Sequence, residues 1–186
     1  MSMKAKKPLS RRIAAVAVLT ALSLITFLIE NLFPPILIPG AKLGLANSFS
    51  FAALVMFGPV DAFVVVIVRT ILGAIFAGNI SAVMYSFTGG VVAMTVSSVL
   101  LYLVFPRISV VAVSIASAAA HNLTQNAVYA LMSATPYAFT LLPYLLLIGA
   151  LSGAVVGVVI TLIFKRVPMN VFKRAVQELK GETAQS

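Results

Sequence analysis

The sequence predicts an all-α integral membrane protein, a bundle of six transmembrane helices with both termini cytoplasmic. Composition is the first reason. The 186 residues are 61% hydrophobic and 9% charged, with mean hydropathy +1.12, whereas a soluble domain is about 45–50% apolar and about 25% charged. The second is continuity. Apolar runs over 91–105 and 141–164 are too long and unbroken for a β-barrel, which alternates in polarity over about ten-residue segments. The third is where the charge sits. Five basic residues precede the first apolar run (Lys4, Lys6, Lys7, Arg11, Arg12) and five follow the last (Lys165, Arg166, Lys173, Arg174, Lys180). Basic residues at cytoplasmic ends orient membrane proteins, so the net charge of +9 reads as topology and membrane-lipid contact, not as nucleic-acid binding. The chain divides into a basic cytoplasmic lead (1–11), the six-helix domain (12–165) and a basic cytoplasmic tail (166–186).

Helix 1 is expected over 12–33. Its apolar run is too long for a signal-peptide core, and no small-residue cleavage site follows, so it is a retained span. Ala14, Ala17 and Ala21 lie near one face, and Ala17 and Ala21 at i and i+4 allow close approach of another helix, inside the bundle or from a partner. Pro34, Pro35, Pro39 and Gly40 forbid helix in the segment that ends at Lys42; this apolar external loop reads as a packed lid. Helix 2 (43–57) opens with Asn47, Ser48 and Ser50 at its outer end, and Gly58-Pro59 makes the cytoplasmic turn. Helix 3 (60–77) carries Asp61 near the surface and Arg69 at mid-depth. An arginine there costs at least about 2.5–3.5 kcal/mol on insertion scales, so it needs a partner: Glu30, backbone carbonyls, water or a ligand anion. Gly78-Asn79 forms the outer turn. Helix 4 (80–105) contains Tyr85 and the pair Gly89-Gly90, which permits either close packing or a widened cavity. Helix 6 (139–164) has Gly149, Gly153 and Gly157 at four-residue spacing, suited to tight packing.

Helix 5, from about residue 108 to Met132, carries the candidate site. His121, Gln125 and Tyr129 recur at i, i+4 and i+8 on one face, and Asn122 and Asn126 widen the stripe. Polar groups are expensive in hydrocarbon, so the stripe faces the bundle interior or a watery cavity. It serves as a small-molecule site or as interhelical hydrogen bonding; five polar groups within nine residues exceed what helix pairing usually needs. Asn47, Arg69, Asn79 and Tyr85 complete the candidate substrate contacts.

Other chemistry is excluded. There is no phosphate-binding Gly-x-x-x-x-Gly-Lys-Ser/Thr loop, no cysteine, and one histidine without a clustered carboxylate, so neither a metal nor another cofactor is expected. The only acidic residues are Glu30, Asp61, Glu178 and Glu182. An independent enzyme is not expected.

The stretches Lys42-Leu-Gly-Leu-Ala-Asn47, Arg69-Thr-Ile-Leu-Gly73, Phe87-Thr-Gly-Gly90 and Ala120-His-Asn-Leu-Thr-Gln125 resemble the Gx transporter family, often labelled heptaprenyl diphosphate synthase component I. The six-helix pattern and the Ala-x-x-x-Ala face also resemble the substrate-binding S components of energy-coupling factor (ECF) vitamin transporters. The resemblance covers about 12–165. It implies an S-component-like bundle that captures a small solute from outside under the loop after helix 1. The face of Ala17 and Ala21 would then dock on a transmembrane coupling subunit driven by cytoplasmic ATPases. Pro34, Pro35, Pro39, Gly40 and Lys42 would be the gate; His121, Asn122, Gln125 and Tyr129 would contact the solute. No full residue set for any one vitamin is present. The alternative is a non-catalytic membrane partner of a prenyl diphosphate synthase: prenyl transfer needs carboxylate-bound magnesium, and this chain has a single aspartate.

Overall fold

The computed structural model describes residues 9–32, 44–78 and 80–165. The proposed gate residues Pro34, Pro35, Pro39, Gly40 and Lys42, together with Asn79 and the tail, lie outside them. Six α-helices are found among the described residues: α1 (Leu9–Leu32), α2 (Ala46–Phe57), α3 (Pro59–Ala77), α4 (Ile80–Val99), α5 (Val110–Met132) and α6 (Leu142–Lys165). A π turn, Leu100–Val104, prolongs α4, and a 3-10 turn, Pro136–Leu141, precedes α6.

Local chemistry sets these boundaries. Gly58 ends α2 at φ 100° and Pro59 opens α3, a division that uses glycine's access to positive φ and proline's tolerance in a first helical turn. The Ser109 side chain caps α5 by accepting the Ala112 N–H at 3.1 Å, as N-cap serines do. α6 begins three residues later than the sequence predicts. Pro143 lacks an N–H, which suits the first turn of a helix and not its interior, so the preceding residues wind as a 3-10 turn.

Four segments are long and apolar enough to cross a membrane: Ser10–Glu30, Pro59–Ala77, Met84–Val104 and Pro136–Ile163. This is a multi-pass membrane protein by length and composition. The six expected spans are therefore four clear ones and two helices of another kind. α2 has 12 residues, about 18 Å at ~1.5 Å per residue, short of the ~30 Å hydrocarbon core. α5 has 23 residues and sufficient length, but its polar residues lower its hydropathy.

Those two helices are the inner ones. α2 packs against α1, α3, α4 and α6, and α5 lies between α4 and α6. The outward faces of the other helices are apolar and exposed, with Ile25, Ile75 and Leu151 each more than half accessible, as lipid contact requires. Buried positions hold Ser23, Ser50, Thr70 and Ser97, small polar residues that let helices approach closely.

Helix alternation puts the start of α1, the α2–α3 turn, the end of α4, the start of α5 and the end of α6 at one end. Arg12, Asp61 and Arg107 lie there; we call it the basic end. The hydrophobic core, including Phe51, Leu54, Val65, Met94, Leu101, Val113 and Ile160, fills the bundle towards that end. The larger buried polar side chains, Arg69, His121, Asn122, Gln125 and Asn126, lie from mid-depth outward, and Ser50, Ser97 and Ser114 lie nearer the basic end.

Candidate functional site

α5 runs antiparallel to both neighbours, and its polar residues divide between them. His121 meets α4 at Gly89, where a Cβ would lie 3.0 Å from His121 Nδ1 and 3.1 Å from its carbonyl oxygen. Two turns further, the Tyr129 ring meets Tyr85 edge-on, centroids 6.4 Å apart at 87°. Asn122 points to α6 instead and donates from Nδ2 to the Leu145 carbonyl at 2.7 Å. The absent side chain of Gly149 makes room for that amide. The stripe is thus two adjoining rows, His121/Gln125/Tyr129 towards α4 and Asn122/Asn126 towards α6, because consecutive helical residues point about 100° apart. His121, Asn122, Gln125 and Asn126 are all buried; Tyr85 and Tyr129 are half-buried.

Only part of this polarity goes into helix pairing. Asn122 has its interhelical bond, but Gln125 Nε2 and Asn126 Nδ2 have no hydrogen-bond partner among the described residues. A buried donor left unpaired costs about 1–3 kcal/mol. The hydroxyls of Ser50, Ser97 and Tyr102, nearer the basic end, are likewise without partners there.

Arg69 is 2% exposed. Its Nη2 donates to Asn47 Oδ1 at 2.8 Å, and the Glu30 carboxylate lies near enough for its charge to act on the guanidinium. Glu30 Oε1 also accepts the Leu45 N–H at 2.7 Å, at the start of α2, where a helix favours negative charge. One network therefore joins α1, the N-terminus of α2 and α3. Arg69 Nε has no partner among the described residues. Gly90 adjoins this network: a Cβ there would lie 2.9 Å from Val66 Cγ1 and 3.5 Å from Arg69 Nη2. The glycine pair therefore serves close packing on two sides, Gly89 against α5 and Gly90 against α3. It does not widen the interior opposite the stripe.

Asn47, His121 and Asn122 come together around an interior cavity of about 30 Å³, also lined by Ser48, Ser117 and Ser152. That space suits a water or two; solute sites are typically about 300–1,000 Å³. Arg69 touches it through Asn47, while Gln125 and Asn126 sit one turn beyond it.

Ala14, Ala17 and Ala21 are exposed on the outer face of α1. The inner face carries Thr20, Ser23 and Phe27. Ser23 Oγ donates to the Ala46 carbonyl at 2.7 Å, and the Phe27 ring occupies the space left by Gly73. Beside the alanines runs a groove of about 580 Å³ between α1 and α3, lined by Ala17, Ala21, Leu24, Val64, Val68 and Leu72. Arg12 closes it at the basic end, paired with Asp61 at 2.6 Å. Arg12 also donates to the Phe57 carbonyl, at 3.3 Å.

Sequence reasoning missed two pairings, Arg12–Asp61 and Arg69–Asn47. The second was readable: Asn47 and Arg69 each lie eleven residues from Gly58, so a tight turn there sets them level.

The family model for heptaprenyl diphosphate synthase component I matches residues 19–163. The chain belongs to this family. No curated protein and no solved structure matches it. The heptaprenyl diphosphate synthase component I match runs from within α1 almost to the end of α6, so it includes Arg69, Asn47, Gly89-Gly90 and the α5 rows. By its name the family is one component of a synthase, which implies another.

Proposed function

We propose that this protein is a non-catalytic, membrane-embedded subunit that binds a small polar heterocyclic solute in the far half of the bundle. It is S-component-like: a six-helix bundle, both termini cytoplasmic, the solute entering from outside. It passes the solute on together with a transmembrane coupling subunit and cytoplasmic ATPases. The observation that carries this reading is the set of buried polar nitrogens on Arg69, Gln125 and Asn126 that lack partners among the described residues, in a region where hydrocarbon penalises every unsatisfied polar group. The tyrosine pair on the outward side of Gln125 offers an aromatic wall. A cavity of about 30 Å³ does not by itself hold such a solute.

The test compares full-length protein with His121→Ala and Gln125→Ala variants, all purified gently from the host membrane. Native mass spectrometry reads bound solute. Both variants should fold and lose most of the solute; full retention in both would remove the site from α5.

The family match favours a second reading, a membrane partner of a catalytic synthase component. On that reading the α5 nitrogens serve only helix pairing, and the protein co-purifies with a soluble prenyl synthase.

A further inference from the structure

We infer that the small interior cavity is a hydration site, holding an ordered water that joins Asn47 on α2 to Ser117 and Asn122 on α5 and Ser152 on α6. Solute binding elsewhere in the bundle neither requires nor excludes this water.

The cavity measures about 30 Å³ and is bounded by α5, α6 and the start of α2. One water needs about 10–15 Å³ of such space and two to four polar partners. Asn47 supplies the donor. Its Oδ1 accepts the Arg69 Nη2 proton at 2.8 Å, and a guanidinium can only donate, so the amide is fixed with Nδ2 on its other side. There Nδ2 lies 3.6 Å from where a Cβ on Gly44 would be, and Gly44 is part of the cavity wall.

The facing helices supply acceptors. Ser117 Oγ gives its one proton to the Ala93 carbonyl at 2.9 Å, and Ser152 Oγ gives its own to the Gly149 carbonyl at 3.2 Å. Each hydroxyl is left with only lone pairs to offer. Asn122 gives an Nδ2 proton to the Leu145 carbonyl, and its Oδ1 remains an acceptor. A water accepts from α2 and donates twice towards α5 and α6, which is the complement of this wall.

A cation fits less well. Hard cations take a shell of oxygens, carboxylates prominent among them. Among the described residues, those lining the cavity include no carboxylate, and Asn47 would turn an N–H towards the ion. A dry cavity also fits less well. Empty cavities are apolar; Phe51, Ala118 and Val156 share this wall, but at membrane depth each polar group without a partner carries a cost that water removes. The water also extends the network of Glu30, Asn47 and Arg69, which joins α1, α2 and α3. Through Asn47 it continues to α5 and α6.

The test is X-ray hydroxyl-radical footprinting of the full-length protein in detergent, read by mass spectrometry. Radicals formed from a bound water label the side chains around it. Phe51, His121 and Phe27 are each 4% exposed and Met94 is 3% exposed, yet only Phe51 and His121 line the cavity. Phe51 and His121 should be labelled well above Phe27 and Met94. Ser152→Val removes an acceptor and puts methyl groups on the wall, at the loss of one bond within its own helix. It should reduce labelling of Phe51 and His121 severalfold and lower the unfolding midpoint, with size-exclusion elution as the folding check. Wild-type labelling of Phe51 and His121 no higher than that of Phe27 overturns the inference. So does a raised midpoint in Ser152→Val, the result that filling a dry cavity gives. A wild-type midpoint that rises in sodium chloride but not in choline chloride would assign the cavity to a cation instead.

Discussion

Arg69 and its partners behave as a unit. Replacing Arg69 with methionine strips Asn47 Oδ1 of its donor and removes the cation on which the Glu30 charge acts. Removing one partner of a buried hydrogen bond costs about 1–3 kcal/mol, so a stability loss of that order is expected by denaturant titration in detergent. Adding Glu30→Gln should restore part of it; no loss in the single variant would mean that the arginine is not held by this network. Asn122→Ala removes one interhelical bond to α6 and should cost about 0.6–1.7 kcal/mol, the range measured inside membranes. At this scale the sequence told which residues are costly and not which pair. That Arg69 needs a partner follows from its depth. That the direct bond goes to Asn47, with Glu30 acting by charge and holding the α2 N-terminus, depends on how tightly the chain turns at Gly58.

The α5–α6 seam is the element most dependent on small residues. A Cβ on Gly153 would lie 2.8 Å from the Ser114 carbonyl, and one on Gly157 would lie 2.6 Å from Val111 Cα, backbone neighbours that cannot swing aside. Gly153→Ala should therefore cost about 1–3 kcal/mol, the range for overpacking, read as a lower unfolding midpoint. Gly78 is the contrast. Nothing lies within 4 Å of its Cβ position, but its φ is +63°, so Gly78→Ala should cost about 1 kcal/mol from backbone conformation alone. Equal effects would show that space is not what Gly153 provides. The four-residue glycine spacing on helix 6 reads correctly as tight packing. The stripe on α5 reads less fully, because periodicity reveals a polar face but not that neighbouring helices divide it. Helix starts shift where Gly44 and Pro143 interrupt the apolar pattern.

On the scale of the whole molecule, polarity is arranged around depth: an apolar core towards the basic end, the larger buried polar side chains from mid-depth outward, and an apolar exterior. Composition and charge placement made the all-helical membrane class legible. They did not separate the four apolar spans from short α2 and polar α5, whose places inside the bundle come only from tertiary packing. The exposed alanines of α1 border a groove of about 580 Å³ that a partner helix can enter. Ala17→Phe with Ala21→Phe should block assembly with a coupling subunit in a pull-down while leaving solute retention and thermal stability unchanged; assembly that survives would remove that face from docking. The central claim is that this family member is a solute-binding membrane subunit. Native mass spectrometry of the intact protein, released from its own membrane with its partners, tests it most directly. One stoichiometric small solute together with a membrane coupling subunit and ATPases is the predicted result. A soluble prenyl synthase partner with no small solute would contradict it and return the buried nitrogens of α5 to helix pairing alone.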